Sequence, residues 1–233
     1  IEFDLIRRIS PMECLRKAWS GKEAKDKAPN IARLTDMFNR KSRWIEQAIL
    51  TAESTKDRTR LIEYFITVAQ SCLSLGNFNG MMVFLSGLQS RCISRLKKPW
   101  TSKKRAAVEE LSRLIENNFR ELRRLQAQTS PCVPYIGMSL TDLTFIEDGN
   151  QDFLPETNLV NWNKIKLAAS VIERLQAAQS KGFEFQPDKL IISILRNLAP
   201  TISDSKAYEI SLQLEPKEKE KEKEKEDKKD EKK

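Results

Sequence analysis

Histidine is absent from all 233 residues. That removes Ser-His-Asp triads, Cys-His dyads and His-ligated metals from consideration. Glycine is scarce, with 7 residues. None of them builds GxxxxGK or GxGxxG, so the usual phosphate-cradling loops are missing. The four cysteines, Cys14, Cys72, Cys92 and Cys132, form no CxxC pair. This speaks against a zinc knuckle or redox dithiol and, in a chain this long, against a disulfide framework. A reducing, cytoplasmic setting is expected. No apolar run approaches the ~18 residues of a membrane span. The opening Ile1-Glu2-Phe3-Asp4-Leu5 is not a signal peptide and has no Met, so a cut or partial chain is expected.

What the chain does have is charge, unevenly placed. Lys and Arg number 41 against 33 Asp and Glu, a net of +8. Residues 217–233 hold 9 Lys and 8 acids with no apolar residue, leaving the 216-residue body at +7. That tail cannot bury anything and its alternation puts like charges at i,i+4, so it reads as a disordered end. The body is long enough for one large domain or two small ones.

Its periodicity is helical nearly throughout. Val108, Leu111, Leu114, Ile115, Phe119, Leu122 and Leu125 form one apolar stripe, with Glu109, Arg113, Glu116, Arg120 and Arg124 off it. The run Ile165 to Ala178 repeats the pattern, and Leu190 to Leu198 gives a shorter version ending before Pro200. Residues 61–75 are apolar on nearly every face, which predicts a helix at the centre of a bundle. Gly76-Asn77 would cap it, and a second helix would run from about Met81 to Gln89. The only extended candidate is Pro131–Tyr135, where two prolines forbid a helix. The fold class expected is all-α, a single helical bundle.

Three places carry candidate chemistry. Arg91, Arg95, Lys97, Lys98, Lys103, Lys104 and Arg105 surround Trp100, a pattern that can track a phosphate backbone but equally marks a solvated loop or a face for an acidic protein. Asp142, Glu147 and Asp148 lie close enough for acid/base work or Mg²⁺, though nothing else in the chain supports either. The segment Pro131–Asn150, PCVPYIGMSLTDLTFIEDGN, has a rigid lead-in ending at Gly137. Ser139 is placed to cap a helix with Asp142 at its third position, and Glu147-Asp148-Gly149-Asn150 makes an acidic turn. Helix resumes at about Leu159, so this is either the tip of a helical hairpin or a plain interhelical connection.

At these residues the sequence resembles the catalytic domain of Ras-family guanine-nucleotide exchange factors, the RasGEF domain. The most diagnostic stretch is 131–150 itself. Other blocks occur in the family's order: Pro29-Asn30, Phe38-Asn39, Ser42 with Trp44, Leu75 to Gly80, Gly87 to Ser90, Arg95 to Lys97 with Trp100, Asn118-Phe119-Arg120, Leu159 to Trp162 with Lys164, and Tyr208, Ser211-Leu212 and Glu215-Pro216. The resemblance covers residues 1–216. It implies an all-α domain with a protruding helical hairpin, running from about Ser139 to the helix after Val160, that opens the nucleotide site of a Ras-superfamily GTPase of Ras or Rap type. By position, Thr144 would sit at the magnesium site and Asp148 near the phosphate loop. Ala32, Asp36, Asn39, Met82, Ser86, Gln89, Asn118, Phe119 and Tyr135 would grip the GTPase's switch II segment. No cofactor, metal or nucleic acid is implied, and the membrane is reached only indirectly, through a lipidated GTPase or missing domains. The rival within this fold is a noncatalytic GTPase-binding module; the rival outside it is a basic helical nucleic-acid binder.

The residue chemistry fits that role independently. An exchange factor breaks no covalent bond, so the missing histidine is no objection. A carboxylate can occupy donors that held phosphate, and an uncharged group beside Mg²⁺ offers little to hold it. The family usually carries Glu where Asp148 stands, a larger aliphatic at position 144, and a helical module preceding the domain. Asp148 is expected at an exposed tip, and Glu147, about 100° round a helix, to be inert.

Overall fold

A computed structural model describes residues 1–216; the Lys/Glu tail lies outside the described residues. Twelve α-helices occur among them, and no strand; the two isolated bridges join Asn77 to Val133 and Phe153 to Val160. None of these helices is long and apolar enough to cross a membrane. The all-α expectation holds, and Pro131–Tyr135 is extended as read.

The longest helices make the frame. Helix α3 (Pro29–Leu50) follows the short α1 (Glu2–Ile6) and α2 (Ala24–Lys27). Its free N-terminal donors are taken by buried Glu13, which accepts from the backbone of Asn30 at 2.8 Å and Ile31 at 3.2 Å and from the Asn30 amide at 2.7 Å. A carboxylate is the right partner there, because a helix N-terminus carries partial positive charge. Helix α4 (Thr55–Ser74) is capped by Ser54, and α5 (Phe78–Leu88) by Asn77, which accepts from Gly80 at 2.8 Å. Helix α5 thus starts three residues before the expected Met81.

The corner between α4 and α5 is the predicted one. Gly76 has φ +71°, its N–H donates to Leu73 O, and Asn77 N–H donates to Cys72 O at 2.7 Å. Those two bonds are the Schellman pair that satisfies the last carbonyls of a helix. Helix α4 is less enclosed than its composition suggested: Ile62, Phe65, Ile66 and Ala69 are buried, while Tyr64 and Leu75 are exposed.

Helix α6 (Arg91–Ser94) leads to α7 (Ser102–Arg113) and α8 (Glu116–Gln128). Here the expected continuous stripe is broken. Asn117, Asn118 and Phe119 all have positive φ, at 49°, 55° and 59°, so the chain makes a left-handed turn between two right-handed helices. Such backbone costs roughly 1–2 kcal/mol per non-glycine residue. Val108, Leu111 and Leu122 still reach one core, which is why periodicity alone could not reveal the break.

Helices α9 (Ile136–Gly149), α10 (Trp162–Ser180), α11 (Lys189–Asn197) and α12 (Asp204–Leu214) complete the described chain. The apolar interior has two parts. One holds the second half of α3 (Ile45, Ile49, Leu50) with α4, α5, Leu111 and Leu122. The other holds its first half (Ile31, Leu34, Met37) with Ile6, Ile136, Leu143, Val171 and Leu175. Each fully buried side chain of this kind contributes about 1.5–3 kcal/mol.

Part of the basic cluster is architectural. Arg95 donates to Ser211 O at 2.6 Å, Ser211 Oγ at 3.0 Å and Glu215 O at 2.5 Å, and the Glu215 carboxylate accepts from the backbone N–H of Lys97 and Lys98. Arg91 lies over the Tyr208 ring, Arg105 over Trp100, and Lys104 pairs with Glu63. Arg91 and Arg95 thus hold α12, while Lys97, Lys98 and Lys103 are exposed. The four cysteines are free thiols; burial, the largest cause, pushes Cys14 and Cys72 to about 11 and Cys92 to about 12, so they stay protonated at neutral pH.

Candidate functional site

Helices α9 and α10 form the hairpin. Helix α9 begins at Ile136, a turn before the expected Ser139 cap, and continues through Gly149, so Glu147 and Asp148 lie in its last turn rather than in a loop. Asp142 does not cap either. It accepts both terminal nitrogens of Arg123, at 2.5 and 2.7 Å. The early start comes from the lead-in: Val133 N–H donates to Gly76 O at 2.9 Å and Asn79 N–H to Val133 O at 3.2 Å. Pinned to the α4–α5 corner, the segment turns helical as soon as the second proline is passed.

Thr144 and Asp148 are four residues apart and so share one face of α9. The Thr144 hydroxyl donates to Leu140 O at 2.8 Å, and the residue is half-buried. The Asp148 carboxylate is more than half exposed and pairs with Lys17 Nζ at 2.6 Å. Lys17 and its neighbour Arg16 have φ of 54° and 50°. Glu147 points elsewhere. With Asp152 it flanks the buried Lys164 of α10, at 3.1 and 2.7 Å. Burial alone would lower the Lys164 ammonium, but hydrogen bonds to Asp152 and Glu147 carry it above the usual lysine value, and the same bond holds Asp152 below the usual carboxylate range. Glu147 therefore closes the hairpin and is not the inert neighbour expected.

The three carboxylates of the segment are paired with cations: Asp142 with Arg123, Glu147 with Lys164 and Asp148 with Lys17. Among the described residues no group of three or more His, Cys, Asp or Glu is placed to hold a metal. Large apolar side chains remain in solvent around the hairpin: Phe145, Leu159, Val160 and Trp162 are all more than half exposed. An apolar surface of this kind marks an interaction site.

The other expected residues fall on two parallel sets. Ala32, Asp36 and Asn39 follow one face of α3, and Met82, Ser86 and Gln89 one face of α5, both at spacings of four and three. Asp36 pairs with Arg40 at 3.0 Å, and Gln89 donates to Ser112 Oγ at 2.6 Å. Asp36, Asn39 and Gln89 are exposed, Ala32 and Ser86 half-buried, and Met82 buried. Tyr135 joins the sets. Its ring packs against Phe38 at 6.1 Å and Phe119 at 5.9 Å between centroids. It also covers Gly137 so closely that a Cβ there would sit 2.4 Å from the ring. Asn118 is exposed on the left-handed turn. Lys17 and Arg123 were not singled out from sequence, and Lys164 only as part of a family block; their partners lie 131, 19 and 12 residues away, and no local pattern announces such pairs.

A family model described as the RasGEF domain matches residues 1–166. Among curated proteins the chain is similar to Ras guanine nucleotide exchange factor E of Dictyostelium discoideum, 30% identical over 268 residues, covering 94% of this chain and 26% of that protein. It is similar to factor M of the same organism, 34% identical over 186 residues with 77% and 20% covered. It is also similar to Ras-specific guanine nucleotide-releasing factor 2 of Rattus norvegicus, 32% identical over 219 residues with 91% and 18% covered. The chain thus spans between 18% and 26% of the length of these relatives. With an all-α fold, the hairpin and a family match over most of its length, the chain belongs to the RasGEF domain family.

Proposed function

We propose that residues 1–216 act as a guanine-nucleotide exchange unit for a Ras-superfamily GTPase of Ras or Rap type, working in the cytoplasm and at membranes that carry the lipidated GTPase. The α9–α10 hairpin is the wedge. Thr144 sits beside the magnesium site and Asp148 at the phosphate loop, while the faces of α3 and α5, the 117–119 turn and Tyr135 hold switch II. The observation that carries this reading is the placement of Thr144 and Asp148 on successive turns of one helix, on a hairpin that leaves Phe145 and Trp162 in solvent.

The task is thermodynamic. A nucleotide held at a Kd near ~1 pM is bound by about 16 kcal/mol. A factor speeds its loss by binding the nucleotide-free GTPase better than the nucleotide-bound one. Asp148 contributes by taking donors the phosphates vacate, which helps only once nucleotide is leaving.

Stopped-flow release of a fluorescent GDP from a panel of Ras and Rap GTPases tests this and separates exchange from mere binding. Asp148→Ala is expected to keep stability within about 0.5 kcal/mol and to slow release roughly 3- to 30-fold, equivalent to ~0.7–2 kcal/mol. Asp148→Glu keeps or raises the rate, and exposed Glu156→Ala is the neutral control. Release by Asp148→Ala at the parent rate overturns the wedge assignment.

Lys17 makes a second expectation. Its ion pair must break before Asp148 can serve the GTPase. An exposed pair is worth under about 1 kcal/mol and is screened by salt. Lys17→Met is therefore expected to raise release about two- to fivefold at low salt, with the difference fading at high salt. A slower Lys17→Met would mean that the pair supports the wedge instead.

A further inference from the structure

Two parts of the proposed site, the wedge helix and the 117–119 turn, rest on different apolar cores. Thr144 and Asp148 ride on α9, whose Ile136 and Leu143 pack with Val171 and Leu175 of α10. Asn118 and Phe119 ride on the turn that opens α8, whose Leu122 belongs to the other core. At the base of the hairpin between them lies a cavity of ≈ 530 Å³, lined by Arg123, Cys132, Met138, Ser139, Asp142 and Arg174 among others. Across that cavity α8 and the body of α9 are not packed directly against each other.

Gln126 of α8, accepting from Tyr135 N–H at 2.9 Å, and the Phe119–Tyr135 ring contact tie α8 to the lead-in of α9; Arg123 makes the tie to the body of α9. Arg123 of α8 donates Nε to Asn118 O at 3.0 Å and its two terminal nitrogens to Asp142 of α9 at 2.5 and 2.7 Å. Arg174 of α10 stands 3.8 Å from the same carboxylate. The Arg123 and Asp142 side chains are 29% and 18% exposed, well shielded for a charged pair. A planar guanidinium forked onto a carboxylate fixes direction as well as distance, which a lysine cannot do. The third bond ends on the carbonyl of a residue in left-handed backbone, so the same group that aims α9 also braces the turn.

We infer that Arg123 is a positioning residue: it locks the wedge helix to the turn that grips the GTPase, so that engagement at Asn118 and Phe119 sets where Thr144 and Asp148 point. This rests on the proposed function for its catalytic consequence, but the link itself does not. Without the fork, the turn still binds while α9 samples other angles across the cavity. The loss falls on kcat rather than KM.

The test uses the full chain with Arg123→Lys, Asp142→Asn and the double variant, against Arg124→Lys, whose guanidinium reaches only Glu121 and Gln128 on its own helix. Two quantities are read: kcat and KM for release of fluorescent GDP, and amide hydrogen exchange across residues 136–149. Each single variant is expected to lower kcat about tenfold with KM moved less than about threefold, and to speed exchange in α9. The double variant is no worse than the stronger single one, because both cut one link. Arg124→Lys behaves as the parent. Parent-like kcat and α9 protection in Arg123→Lys, or single effects that multiply in the double, overturn the inference. If the parent releases GDP from no GTPase, the proposed function fails. Hydrogen exchange still decides the link: faster α9 exchange in both single variants without addition in the double upholds it, and unchanged exchange refutes it.

Discussion

Tyr135→Ala is expected to weaken binding to the nucleotide-free GTPase about 30-fold or more, the ~2 kcal/mol or more that truncating an aromatic anchor commonly costs. The ring stands where three parts of the proposed switch II surface meet: Phe38 on α3, Phe119 on the left-handed turn, and the first turn of α9. Its backbone N–H donates to Gln126 at 2.9 Å, which fixes the direction from which the ring arrives. Truncation also removes two aromatic contacts, each worth about 0.5–1.5 kcal/mol, so some stability is lost with it. Calorimetric titration run beside urea denaturation separates the two effects. Tyr135→Phe is the conservative partner and should preserve both quantities. Unchanged affinity in Tyr135→Ala would put the GTPase surface elsewhere on the bundle.

The second large effect is expected at Gly76, far from the wedge in sequence. Gly76→Ala should cost about 3 kcal/mol, from ~1–2 kcal/mol of left-handed backbone strain and a further overpacking cost of similar size. The residue has φ +71°, and an added Cβ would meet Thr129 Cγ2 at 2.9 Å and Pro131 O at 3.0 Å. The second of these is backbone and cannot swing aside. The methyl would push on the segment whose Val133 is bonded to Gly76 O and to Asn79 N–H, and so on the start of α9. Denaturation midpoint and nucleotide release should fall together. Gly149→Ala is the contrast: nothing lies within 4 Å of its added Cβ, so it should be neutral or slightly stabilising. Equal effects at the two glycines would mean that the corner does not carry α9.

Much of this was readable from sequence because it rests on short-range patterns. Apolar spacing announced the helices, Gly76-Asn77 announced the end of α4, and two prolines announced the extended lead-in. Where the reading failed, a distant partner had changed the local outcome. Ser139 has the right chemistry for a cap. The chain is already helical by then, however, because Val133 is held at the α4–α5 corner. Asp142 suits the third position of a capping box, but Arg123 offers a fork of two charge-assisted bonds.

The division can be stated in residues. Sequence alone determined that the protein is a helical bundle without histidine chemistry, a phosphate loop or paired metal-binding cysteines. Through the 131–150 stretch and its ordered companion blocks it also determined the family. Those are consequences of residue type and of separations of a few residues, where backbone geometry leaves few choices. Tertiary structure decided that Lys17 meets Asp148, that Arg123 ties α8 to α9, that Lys164 is buried between Glu147 and Asp152, and that Arg91 and Arg95 hold α12. These are electrostatic pairings made after the chain has folded back on itself. Many residues of the right charge compete for each partner, and only packing of the two cores brings one pair within 3 Å.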